Sequence, residues 1–157
     1  GLSLALIYAD HFKLINDTHG HQFGDQVLRR LVDALDSNLP DGAFCARYGG
    51  EEFALVLPRH CLDEAVRVCE AARARVAEYP WRQLHESLRV TVSIGVVQSP
   101  AGATDVESLI GEADVLLYAA KQAGRNAVAY REPTGVVRLA GAAGARRAIP
   151  QPARTVR

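Results

Sequence analysis

The chain is predicted to fold as an α/β protein, with one mixed central β-sheet carrying helices on its faces. Two observations carry that reading. Segments of strand and helix character interleave in the order β-α-ββ-α-β-α-β, the pattern of helices packed over a sheet. The adjacent ββ pair in the middle calls for an antiparallel hairpin and so excludes a wholly parallel sheet. A length of 157 residues suits one domain with a sizeable core. The hydrophobic fraction of 48% and charged fraction of 23% are those of an ordinary globular protein.

Each element has its own warrant. Leu2–Ala9 is rich in Leu and Ile, as a buried strand is. A polar stretch follows with one apolar strip, Phe12, Leu14 and Ile15. Over Gln26–Leu39 the apolar residues Val27, Leu28, Leu31, Val32, Leu35 and Leu39 recur at helical spacing. Asp25 stands where an acid favours the helix dipole. Phe44–Tyr48 and Phe53–Leu57 form the hairpin, with Gly49 and Gly50 expected to supply positive φ at its tip. Leu62–Tyr79 is an alanine-rich helix stopped by Pro80. The β-branched density of residues 88–98 marks a central strand. Asp105–Ala123 is helical, with Gly124 as its stop, and Ala127–Tyr130 is a last short strand. Residues 131–157, with little periodicity, are expected to be a flexible basic tail behind a domain over 1–130. The chain opens inside a strand, so it is expected to be a piece of a longer protein, truncated at its N-terminus.

Charge and composition narrow the function. Residues 1–130 carry 12 Lys and Arg against 17 Asp and Glu, whereas residues 131–157 carry six arginines and one glutamate. An acidic body argues against a nucleic-acid duplex as partner and is compatible with divalent cations. No run approaches a membrane span. Three cysteines, odd in number and without CxxC spacing, read as free thiols, so a cytoplasmic location is expected. The spacing of His60, Cys61 and Cys69 is wrong for zinc. The sequence contains no G-x-G-x-x-G, no Gly-Lys-Ser/Thr and no G-x-S-x-G, which removes the dinucleotide, P-loop and hydrolase-elbow signatures.

The chemistry concentrates in a few places. "RYGGEEF" (47–53) sets two adjacent acids beside two glycines at a hairpin tip, where their mutual repulsion calls for a positive partner. The chain uses 16 arginines but only two lysines, Lys13 and Lys121. Lysine offers a compact charge suited to phosphate oxygens. On residue chemistry alone, each candidate also has a plainer role. Asn16 and Asp25 could cap helices, Arg125-Asn126 could be a helix exit, and Arg47 could pair with either glutamate. His21 could be structural, and the lysines could sit on solvated faces.

Taken in order, "ADHFKLINDTHGHQFGD", "RYGGEEF", "VTVSIGV" and "ADVLLYAAKQAGRN" resemble the GGDEF family over residues 2–130. That resemblance implies a nucleotide-cyclase, polymerase-palm-like sheet and diguanylate cyclase activity, two GTP condensed to cyclic di-GMP with loss of pyrophosphate. It implies that Gly49 and Gly50 admit the nucleotide, that Glu51 binds metal and helps activate the 3′-hydroxyl, and that Glu52 is the second acid. Asn16 and Asp25 match the guanine-binding positions, and His11 and Phe12 those whose backbone nears the phosphates. Lys13, Lys121 and Arg125 match the phosphate-binding cations, and His21 is carried in the nucleotide-binding set. The implied cofactor is Mg2+ or Mn2+. The implied partners are GTP, cyclic di-GMP, a second copy forming a catalytic homodimer, and an N-terminal sensor or receiver domain. The family's "LTGLxNRR"-like lead-in is missing.

Two departures matter. The family pattern D-x-D-x-F-K places a metal-binding aspartate where this chain has Tyr8, with the Ala9 carbonyl beside it. A neutral phenol replaces a carboxylate poorly. Asp10 lies on the same strand face about 6–7 Å further along and is expected to join the metal site only if the strand end bends. Second, Pro40–Ala43 lacks the R-x-x-D of the family's inhibitory product site, so no product inhibition is expected there. Three functions compete: a cyclase impaired by Tyr8, a degenerate domain that binds GTP or cyclic di-GMP as a receptor, and a purely structural dimerisation unit.

Overall fold

The computed structural model describes residues 1–100, 105–141 and 146–148. In chain order its elements are β1 (Leu2–Ala9), α1 (Phe12–His19), α2 (His21–Asp36), β2 (Phe44–Arg47), β3 (Glu52–Pro58), α3 (Leu62–Glu78), β4 (Val92–Gln98), α4 (Val106–Gln122), β5 (Ala127–Arg131), β6 (Val137–Ala140) and β7 (Arg146–Ala148). The strands form one sheet in the order β2-β3-β1-β4-β5-β6-β7. Only β4 and β5 run parallel; the other neighbours are antiparallel. The mixed sheet with helices on its faces is therefore the one the sequence predicts.

Side-chain alternation along the strands builds two cores. Ala5, Ile7, Phe53, Leu55, Ile94 and Val128 face one side, where the apolar stripes of α1, α2 and α3 cover them. Leu4, Leu6, Val97 and Ala129 face the other, under α4. β1 lies between β3 and β4, and Leu4–Ile7 are buried on both faces, which is why that strand reads as a nearly continuous apolar run.

Several expectations are revised. The stretch after β1 contains a separate helix, α1, whose buried side chains are Phe12 and Ile15 while Leu14 stays 63% exposed. α2 begins at His21 rather than Gln26, because Gly20 breaks the chain between the two helices at φ 90° and ψ 163°. Asp25 is therefore a full turn inside α2, not an acid preceding it. At the β2–β3 tip neither Gly49 nor Gly50 has positive φ; Tyr48 and Gly49 both donate backbone N–H to the Glu52 carbonyl and close a wider turn. The strand predicted over 88–98 begins only at Val92.

The reading of 131–157 as a flexible tail is also corrected in part. Residues Val137–Ala140 pair with β5, and Val137 and Leu139 are buried against the core under α4. Residues 142–145 and 149–157, including Arg154 and Arg157, lie outside the described residues. No described helix is long and apolar enough to cross a membrane.

Candidate functional site

The C-terminal end of β1 is where the predicted residues converge. Antiparallel pairing sets Tyr8 opposite Glu52 on one side and Ser93 on the other. The Ala9 N–H donates to the Glu51 carbonyl at 3.0 Å, which ties the hairpin tip to the strand end. The Tyr8 hydroxyl donates to Glu51 Oε1 at 2.8 Å. Lys121, in the last turn of α4, places Nζ 3.6 Å from the Tyr8 ring centroid, and the Arg125 guanidinium lies 6.0 Å from it. Such placement of cations over a ring face is favourable. Burial first, and then the hydrogen bond and charge of Glu51, push the Tyr8 phenol up to about 12. It is thus a neutral donor over the physiological range.

Asp10 does something the sequence does not reveal. Its side chain is buried, and it accepts hydrogen bonds from Thr91 Oγ1 at 2.8 Å, Ser93 Oγ at 2.7 Å and the Asn126 backbone N–H at 3.0 Å. The Arg125 guanidinium stands 3.8 Å from Asp10 Oδ1, the oxygen that also accepts from Ser93. Arg125 and Asn126 both have left-handed backbone, φ 64° and 47°, a conformation that costs non-glycine residues energy and persists only where surroundings impose it. Asp10 supplies that constraint from the turn just past β1. Arg73 adds to it from α3, donating to Asn126 Oδ1 at 2.8 Å while its guanidinium is bidentate on Glu70. The expectation that Asp10 could join a cation site is corrected: its oxygens are committed to the turn that aims Arg125.

The second group lies on the helices after β1. Asn16 is inside α1 and Asp25 inside α2, so neither is the N-cap, which are His11 and Gly20. Gly24 brings the two helices together. A Cβ there would stand 1.8 Å from Asn16 Oδ1 and 3.1 Å from the Phe12 ring, so only glycine lets the Asn16 amide rest on α2 beside Asp25. Next to Asp25 a cleft of about 610 Å³ opens between α2 and β2, lined also by Leu28, Arg29, Cys45 and Phe53; that is a size typical of small-molecule sites. It reaches Asp25 but not Tyr8 or Glu51.

Other predicted residues are placed less centrally. His11 adopts φ 57° at the entry to α1, with Phe12 buried behind it, so at Phe12 only the backbone can face a ligand. Lys13 points outward, nearly fully exposed, and pairs with Asp17 at 3.1 Å. His21 is exposed one turn before Asp25. Arg47 pairs with neither glutamate; it donates to the Gly49 and Gly50 carbonyls and so braces the tip. Cys61 caps α3 with Glu64, and Cys69 is wholly buried in the core. Sequence reasoning missed Gly24, and it offered Arg47 a glutamate partner rather than the carbonyls of the tip. The signal for Gly24 was a glycine inside a helical pattern, which marks close approach; nothing local marks Arg47.

A family model described as diguanylate cyclase, GGDEF domain, matches residues 1–127. The chain belongs to the GGDEF family. Relatives of this GGDEF domain include the diguanylate cyclase VdcA of Vibrio cholerae, 43% identical over 130 residues that span 81% of this chain and 38% of VdcA. The response regulator PleD of Caulobacter vibrioides is 43% identical over 129 residues, 81% of this chain and 28% of PleD. The chain thus spans well under half the length of these curated relatives. Among solved structures, the active GGEEF domain of a diguanylate cyclase from Vibrio cholerae superposes with TM-score 0.76 at 37% identity, covering 82% of this chain and 81% of that one. The GGDEF domain of DgcB from Caulobacter crescentus, in complex with c-di-GMP, gives 0.75 at 37%, covering 82% and 77%. The sheet and helices are accordingly the palm-like α/β fold of GGDEF domains.

The residues present do not fit the magnesium or manganese ion that the family implies. A cation of this kind wants several hard, anionic oxygens. Tyr8 presents a proton to Glu51, and Asp10 is fully engaged elsewhere. Glu51 and Glu52 are the carboxylates that remain at the strand end, and Glu51 Oε1 already accepts from the phenol. Among the described residues no three His, Cys, Asp or Glu side chains cluster as a metal site.

Proposed function

We propose that this chain is a GGDEF domain of the c-di-GMP signalling class that binds GTP or cyclic di-GMP in one half-site and in which Tyr8 suppresses cyclase turnover. The Asn16 amide and Asp25 carboxylate take the guanine edge. Asp25 accepts from the N–H groups that guanine has and adenine lacks, so exchange for adenine would leave a polar group unpaired. The open N–H groups of the first turn of α1, behind His11, and the cations Lys121 and Arg125 take the phosphates. Gly49 and Gly50 leave room for the nucleotide, with Glu52 beside them.

Cyclase chemistry requires the 3′-hydroxyl of one GTP to attack the α-phosphorus of another, held on a facing copy of the chain, as pyrophosphate leaves. Alignment of the two copies supplies much of the rate. Glu51 is the group that would draw on the attacking hydroxyl. The single observation that carries the reading is the Tyr8–Glu51 hydrogen bond at 2.8 Å, which puts a neutral phenol on one oxygen of that carboxylate. The competing reading, an active cyclase, draws support from Glu51, Lys121 and Arg125 lying around one point. A purely structural role would not need that convergence.

The test is cyclic di-GMP formation from GTP with magnesium at high protein concentration, on this chain and Tyr8→Asp side by side. The variant is expected to be faster by at least about a hundredfold, the scale of restoring one electrostatic group in a phosphoryl-transfer site. Its rate is expected to fall on dilution, as a two-chain enzyme requires. Equal rates would overturn the proposal in favour of the active cyclase. A titration in which GTP and cyclic di-GMP both fail to bind would leave only the structural role.

A further inference from the structure

We infer that the half-site takes guanine nucleotides without a divalent cation, and that it favours a monophosphate or phosphodiester over a triphosphate. The inference rests on the reading that Asn16 and Asp25 hold guanine. It concerns the other end of the ligand.

Consider the charges that a phosphate group would meet around Tyr8. Lys121 and Arg125 are the cations, and Arg125 is already shared with the buried Asp10. Glu51 and Glu52 lie across the strand end from them, at and next to the residue paired with Tyr8. With Asp10, Glu51 and Glu52 set against Lys121, Arg125 and the Arg47 that braces the tip, the fixed charge there is already balanced before any ligand enters. A triphosphate adds the most negative charge to it, whereas a phosphodiester or monophosphate adds far less. A bound divalent cation ordinarily removes this disadvantage by bridging phosphate oxygens to carboxylates.

Here the bridge has no footing. The side chain at position 8 is a neutral phenol that donates a hydrogen bond to Glu51, the buried Asp10 is locked to Thr91, Ser93 and Asn126, and among the described residues no three His, Cys, Asp or Glu side chains cluster as a metal site. The ring also occupies space. Lys121 Nζ rests 3.6 Å from its centroid, so the ring stands between the strand end and the ammonium. Lys121 and Arg125, both already engaged within the protein, supply monovalent positive charge that a single phosphate group shares through charge-assisted hydrogen bonds.

The experiment is a calorimetric titration of this chain with GMP, cyclic di-GMP and GTP, each with magnesium and each with EDTA. Each affinity is expected to change by less than about twofold between the two conditions, and GTP to bind no tighter than GMP; differences of that size are small against the tenfold steps that mark a real contact. In Tyr8→Asp, magnesium is expected to tighten GTP by about tenfold or more. Magnesium tightening GTP on the unaltered chain by tenfold or more would overturn the inference while leaving the guanine half-site standing. Failure of all three nucleotides to bind the unaltered chain, with its circular dichroism intact, would overturn the half-site and the inference together. The unaltered chain carries the decisive comparison, so a Tyr8→Asp variant that does not fold leaves the test intact.

Discussion

At Gly24 a methyl group has nowhere to go, because its carbon would stand 1.8 Å from Asn16 Oδ1 and 3.1 Å from the Phe12 ring. Gly24→Ala must therefore move the Asn16 side chain, the easier of the two neighbours to shift. α2 itself gains a better helix former, since glycine in a helix interior costs about 1 kcal/mol relative to alanine. Stability is expected to change little, while guanine-nucleotide affinity falls by about tenfold or more, equivalent to about 1.4 kcal/mol. Titration of GMP alongside a thermal melt checks both halves; unchanged affinity would mean that Asn16 does not touch the base. At this scale the sequence was partly readable. Tyr8 stands out because the motif around it is intact, so its oddity is visible without coordinates. The work of Asp10 was not visible, since its partners Thr91, Ser93 and Asn126 lie 81 to 116 positions away along the chain, and only the sheet brings them close.

Among the elements, α4 matters most to the site, because its last turn carries Lys121 and the turn behind it Arg125. Its seat on the sheet depends on Gly95 of β4, where a Cβ would stand 2.3 Å from both the Ala113 carbonyl and the Leu117 nitrogen. Those are backbone atoms and cannot rotate aside. Gly95→Ala is therefore expected to push α4 off β4 and cost about 1–3 kcal/mol, or roughly 2–4 °C in Tm for each kcal/mol at this chain length. A wild-type melting temperature would show that the helix can shift without loss. Long elements were legible for the usual physical reason: α3 and α4 repeat their apolar side chains over 17 residues each. α1 was not, because eight residues with two buried side chains give a short, mostly polar stripe. The start of α2 was misplaced by the same weakness, since its first turn offers only Phe23 to the apolar stripe and its boundary is a backbone event at Gly20.

Across the whole molecule, the acidic body and basic C-terminal segment meet at β5, and the match to the family ends at residue 127. Beyond it β6 adds a strand that the sequence hides. Val137–Ala140 is only four residues long, inside a segment whose Ala, Gly, Pro and Arg content reads as linker. Yet Val137 and Leu139 are buried with Leu116, Leu117 and Ala129 in the core under α4. Burying such side chains stabilises by about 1.5–3 kcal/mol each, so ending the chain after Arg131 is expected to cost about 3–6 kcal/mol in urea unfolding. That is a large share of a domain's usual margin. The cut would also leave β5 as an open edge, and exposed edges pair with other chains. The shortened chain is therefore expected to self-associate in sedimentation, at concentrations where the full chain keeps its native mass. Equal urea midpoints would mean that the strand lies on the sheet without holding it. The site would then owe its geometry to residues 1–131 alone, whereas a lower midpoint with weaker nucleotide binding would make the added strand part of what holds Lys121 and Arg125 over Tyr8.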